Sequence, residues 1–188
     1  MIGAPCVWYH GYYTSELHQK NNIKRGYTMN RYIKIGLAAF ASLFCLFYAF
    51  QNLANLGPAE WFVGTMTAME GHQAYPNTFA FAIKSPILVK IMLWIIILLE
   101  LAAGLLAGKG AFDLFQNRNG SGDEFNGAKT FALAGTSLGV IVWFGIFGAF
   151  GGAFFQMWQN EAGLNALRDA SFFALQLGVV WLIIRADD

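Results

Sequence analysis

The sequence predicts an all-α membrane protein, a four-transmembrane-helix bundle with an interfacial amphipathic segment in its first outer loop. Three observations predict it. Only 12% of the 188 residues are charged and 56% are hydrophobic, where soluble domains carry about 25% charged residues. Aromatic residues reach 16%, led by 18 Phe, and the mean hydropathy is +0.45. Four apolar runs, at 33–53, 86–107, 130–150 and 166–184, approach or exceed the roughly 20 residues a helix needs to cross a bilayer.

Residues 1–30 form a polar and aromatic tail without periodicity, and 31–188 form the membrane domain. The tail has two readings: a cytoplasmic extension, or residues upstream of a true start at Met29. The second is favoured, because Met29-Asn30-Arg31-Tyr32-Ile33-Lys34 is a usual opening for a first span. A cleaved signal peptide fits that span poorly, since bulky Phe47, Tyr48 and Phe50 crowd the place where a cleavage site needs small residues. In the connection that follows, Trp61, Phe62, Met66 and Met69 fall near helical spacing, so Pro58–Glu70 is expected as the interfacial amphipathic helix. Gly71–Asn77 reads as a turn. Ser85-Pro86 opens the second span, with Ser as N-cap and Pro where its missing N–H costs nothing.

The second span is expected to end near Ala107, leaving Gly108–Lys129 as a polar connection with a flexible tip at Gly120-Ser121-Gly122-Asp123. The third span ends at Phe150 or extends to Phe155, and the fourth closes the chain before Arg185. Lys and Arg near the span ends set orientation. Lys20, Lys24, Arg25, Arg31 and Lys34 flank the first span, Lys109, Arg118 and Lys129 occupy the second connection, and Arg185 follows the fourth span. Both termini are therefore expected to be cytoplasmic.

The clearest candidate for function is Glu100, a carboxylate inside the second span. A charge at such a position costs about 2.5–3.5 kcal/mol on insertion scales, so it needs a partner or a proton. Counted at about 1.5 Å per residue from the expected span ends, Glu100, Thr136, Ser137, Gln176 and Ser42 fall in one inner-leaflet layer. No second acidic or basic residue is expected in that layer. A neutral, hydrogen-bonded carboxyl acting as glue between helices is the leading expectation, and a binding or proton site the rival.

Small residues at four-residue spacing let helices approach closely. They occur at Gly104 and Gly108, Gly135 and Gly139, and Gly148 and Gly152. Either the bundle packs tightly on itself or it offers a face to another subunit. Trp61, Phe62, Met66, Phe155 and Trp158 are a candidate outer aromatic patch, read first as an anchoring belt.

The stretch 30–184 resembles the bacterial family of predicted small integral membrane proteins, domain of unknown function 2165. The resemblance rests on Gln51-Asn52 with Asn55, on Trp61-Phe62-Val63 with Met69-Glu70, on Trp94 with Glu100, and on Gly151-Gly152 followed by Phe155-x-Met157-Trp158-Gln159. The chain departs from the pattern at Ala153-Phe154-Phe155, where relatives often carry Glu-Trp-Phe, and at Glu70, where they often carry Asp. The resemblance implies four spans and a bacterial inner membrane, and carries no catalytic residues.

The net charge of +1 gives no basic face for nucleic acid. Cys6 and Cys45 make no framework, and the three His lie outside the spans, which disfavours an intramembrane haem. No nucleophile–base pair, metal-ligand set or phosphate loop appears. The reading is therefore a non-enzymatic membrane protein, an accessory or structural subunit of a larger complex or a self-associating bundle, with the bilayer and other membrane subunits or a second copy as partners. The alternative is a small proton-coupled transporter, or a quinone- or lipid-binding component, centred on Glu100. No cofactor is predicted; a bound lipid or quinone belongs to the alternative.

Overall fold

The computed structural model describes the backbone of residues 6–75 and 77–188, and side chains from residue 28 onward with the exception of 76. The first five residues of the expected tail lie outside the described residues. Six α-helices follow in order: α1 (Cys6–Ala54), α2 (Leu56–Thr67), α3 (Pro86–Gln116), α4 (Gly122–Gly127), α5 (Thr130–Val140) and α6 (Glu161–Arg185). Between α5 and α6 the helix continues as a π-helical stretch, Ile141–Phe154, and a 3-10 turn, Met157–Gln159. Among the described residues, four segments are long and apolar enough to cross a membrane: Thr28–Ala54, Pro86–Gln116, Gly122–Phe154 and Glu161–Arg185. The chain is thus an integral, multi-pass membrane protein.

The seams between the spans consist of small residues. On α1, Ala38, Ala41, Cys45 and Ala49 recur every three or four positions and are fully or almost fully buried. They pack with α3, where Leu93, Ile97, Glu100, Ala103, Ala107 and Leu114 form the buried stripe. α3 packs on α5 along its other side, and α6 packs on α5 and the π-helical stretch. Large apolar side chains such as Phe40, Leu98, Phe144 and Leu182 are exposed. That inversion is what a lipid solvent permits, because hydrocarbon outside is as apolar as the core.

The second span runs nine residues past its expected end. Gly108 and Gly110 do not stop α3; they mark where it crosses its neighbours. A Cβ on Gly110 would collide with the Ala132 backbone of α5, and one on Gly108 would meet Ser42 Oγ of α1 at 2.8 Å. Ala111 and Leu114 beyond them are buried, and Lys109 bridges Asp113 one turn on at 2.8 Å. The expected flexible tip is also structured. Ser121 Oγ accepts from the Glu124 backbone N–H, and Glu124 Oε2 accepts from the Ser121 N–H, a capping box that starts α4. At the start of α3, Pro86 sits where expected, but the Ser85 side chain makes no cap.

Two ends close the bundle differently. At the end where α6 finishes, Asp188 takes an ion pair from Arg31 and one from Lys34 at 3.0 Å. Lys34 and Lys129 both donate to the Ala186 carbonyl at 2.6 Å. The Arg31 guanidinium lies over the buried Phe125 ring of α4, 4.7 Å from its centroid. At the other end α2 lies against the first turns of α3. There the loop after α2 is closed by Ile83 N–H donating to Thr67 O at 2.8 Å. Gln159 Oε1 accepts from the backbone N–H groups of Gln73 and Ala74 at 2.9 and 2.8 Å, tying that loop to the turn before α6.

Candidate functional site

Glu100 is 1% exposed and lies near the middle of α3, well away from either helix end. Its Oε2 accepts a hydrogen bond from Asn52 Nδ2 of α1 at 2.9 Å. No other hydrogen bond reaches the carboxylate among the described residues. Asn52 stands two residues before the end of α1, so Glu100 belongs to the half of the bundle that carries α2.

This corrects the expected layer. Its depths were counted from span ends that the structure moves, chiefly the end of α3. The Ser42 hydroxyl donates to the Gly104 carbonyl at 2.7 Å. Thr136 donates within its own helix, to Ala132 O at 2.8 Å and Leu133 O at 3.1 Å. Ser137 is half-buried and Gln176 is exposed on α6. None of the four bonds to Glu100.

A cavity of about 420 Å³ opens over Glu100, walled by the end of α1, the start of α2, α3, the π-helical stretch and α6. Glu100, Leu93, Trp143 and Ala170 form its buried base. Gln51, Asn55, Pro58 and Asp169 are exposed and form its rim. Asp169 is thus a second acid facing the space above Glu100, which the sequence reading did not foresee. It stands eight residues into α6, where the apolar run had barely begun, and nothing in the linear pattern tied it to α3.

A second, apolar chamber of about 320 Å³ adjoins the first. Phe62, Val63, Ile96 and Phe147 line both. Met66, Met92, Phe150, Gly151, Phe155 and Met157 are among the other residues that line the apolar one. The π-helical stretch supplies walls to both chambers through Trp143, Phe147 and Gly151, and π-helical segments often accompany functional sites. Two residues beyond its end, Gln156 adopts a left-handed φ of 52° and donates from Nε2 to Thr78 Oγ1 at 3.0 Å.

The expected outer aromatic patch does not form as one surface. Met66 and Phe155 are buried, and with half-buried Phe62 they turn into the apolar chamber. Trp61 remains exposed at 64%. Trp158 packs edge-on against Tyr75, centroids 5.3 Å apart. The glycines are likewise used inside the bundle. A Cβ on Gly104 would meet Leu46, on Gly135 the Ala103 and Ala107 backbone, on Gly139 Leu177, and on Gly152 Leu167. Gly148 meets only atoms of its own helix.

The model of a family described as predicted small integral membrane protein (DUF2165) matches residues 30–186. The chain belongs to this family. No curated protein and no solved structure matches it. Some of the residues that carry the family resemblance line the two chambers, whereas Trp61, Met69, Glu70, Trp94, Gly152, Trp158 and Gln159 line neither. Gln51, Asn52, Asn55 and Glu100 line the polar one, Gly151, Phe155 and Met157 the apolar one, and Phe62 and Val63 both.

Proposed function

We propose that this chain is a non-enzymatic membrane protein that binds a small amphiphile, its polar head over Glu100 and its tail in the apolar chamber. The observation that carries the reading is the adjoining pair of chambers, polar and apolar, sharing Phe62, Val63, Ile96 and Phe147. Ligand sites are typically concave, mostly apolar and fitted with a few convergent polar groups. A polar base of Glu100 and Asn52 under aromatic walls meets that description. The accessory-subunit reading loses part of its support, because Gly104, Gly108, Gly135, Gly139 and Gly152, on which it drew, face neighbouring helices within the chain.

The Lys and Arg distribution favours cytoplasmic termini, which, in the bacterial inner membrane that the family resemblance implies, sets the mouth of the cavity toward the outer face. Arg31, Lys34, Lys129 and Arg185 cluster at the Asp188 end, and the α2 end carries few cations. A ligand would then enter from the outer leaflet or the space beyond it.

Organic extraction of the purified protein, followed by mass spectrometry, tests the reading. A stoichiometric amphiphile is expected from the wild type, and its loss is expected in Ile96→Trp, which fills the wall common to both chambers. An empty wild type, or equal recovery from a folded Ile96→Trp, would count against it.

A further inference from the structure

The chemistry of the polar chamber specifies its ligand further, on the basis of the amphiphile-binding reading above. We infer that the chamber selects a single-chain organic ammonium, with no phosphate, over neutral or anionic amphiphiles of the same length. Two carboxylates, Glu100 from α3 and Asp169 from α6, line it, and no Lys or Arg does. Arg168 neighbours Asp169 in sequence but is not part of the lining. The cations Arg31, Lys34 and Lys129 are engaged at the far end of the bundle. A buried carboxylate such as Glu100 calls for a counter-charge; Lys84, Lys90 and Arg168 lie at this end of the protein but none lines the chamber, so within it a ligand has to bring the charge.

The walls have the matching character. Tyr48, Trp143 and Phe173 line the chamber and pack on one another, with centroids 5.7, 5.0 and 5.9 Å apart for the three pairs. Aromatic faces attract cations through the ring quadrupole, most strongly where water is excluded. The amides are less suited to a neutral acceptor such as a quinone carbonyl. Asn52 gives one of its N–H groups to Glu100, and Asn55 gives one to the Gln51 carbonyl at 2.9 Å, which leaves fewer donors for such an acceptor. A bare metal ion also fits poorly. Among the described residues no three His, Cys, Asp or Glu side chains converge, and hard cations take six or more oxygens. A phosphate-bearing headgroup would meet two acids and no basic partner. A trialkylammonium head fits the acid-and-aromatic base, and an alkyl tail fits the adjoining chamber.

The full chain, purified in a non-ionic detergent and delipidated, is titrated with decyltrimethylammonium, decanol and decyl sulfate, and occupancy is read by native mass spectrometry. The expected result is one saturable site for the ammonium, at least about tenfold tighter than for the other two. Asp169→Asn, at an exposed position, is expected to fold normally and to lose most of that preference, and Glu100→Gln to lose it as well. Equal or better binding of decanol or decyl sulfate would overturn the ammonium inference and leave the amphiphile site standing. An unchanged preference in both variants would overturn the assignment of the two acids. Failure of all three amphiphiles to bind would overturn the site and the inference together.

Discussion

Glu100 and Asn52 form a pair in which each explains the other's position. A carboxyl buried mid-helix needs a donor, and an amide near the end of α1 supplies one at 2.9 Å. Glu100→Gln keeps an acceptor for Asn52 and is expected to unfold within about 1 kcal/mol of the wild type. Glu100→Leu removes it and is expected to cost about 1–2 kcal/mol, measured by denaturant titration in detergent. Equal stability of the two variants would show that the hydrogen bond contributes nothing. Glu100 was legible in the sequence, because an acid in an apolar run stands out by its cost. Asn52 does not stand out as its partner in the sequence, because depth counted from Ala107 uses a helix end that in fact lies nine residues further on. The signal was present in the Gln51-Asn52-x-x-Asn55 grouping, since two amides just before a span's end line the chamber over Glu100.

Along the elements, small residues decide where helices meet. Gly135 of α5 sits against the backbone of Ala103 and Ala107 on α3, and a Cβ there would lie 2.7 Å from the Ala103 carbonyl oxygen. Backbone cannot yield as a flexible side chain can. Gly135→Ala is therefore expected to destabilise by about 1–3 kcal/mol, despite alanine's advantage of about 1 kcal/mol in helix propensity. Gly178→Ala on α6, with nothing within 4 Å, is expected to be neutral or stabilising by up to about 1 kcal/mol. Thermal unfolding of both in one detergent checks the contrast; a Gly135→Ala as stable as Gly178→Ala would remove the close-packing account. The number, order and placement of the four spans were readable from apolar length alone. Their ends were less so, because glycine marks both helix stops and helix crossings, and only the neighbouring helix tells the two apart. The π-helical stretch had no linear signature beyond its glycines.

For the molecule as a whole, the two ends have different chemistry. The Asp188 end is held by charge: burial alone would raise the Asp188 carboxyl, but hydrogen bonds from Arg31 and Lys34 outweigh it and hold the carboxyl below its ordinary value. A depressed folded-state value stabilises fully above the unfolded-state value of about 3.9 and is lost as pH falls through the folded one. The wild type is thus expected to lose stability below about pH 4 in a component that Asp188→Asn lacks. Parallel acid profiles for the two proteins would contradict that linkage. The α2 end is instead held around space, with Asp169, Glu100 and the aromatic walls brought together from five separate helical elements. That convergence is a property of the tertiary arrangement, which is why single-span reasoning saw one acid and not two. The most direct measurement is an experimental structure of the protein in lipid nanodiscs. The account predicts elongated density over Glu100 with its narrow end among Phe62, Ile96 and Phe155; chambers closed by their own side chains, or filled by a helix of a second chain, would contradict it.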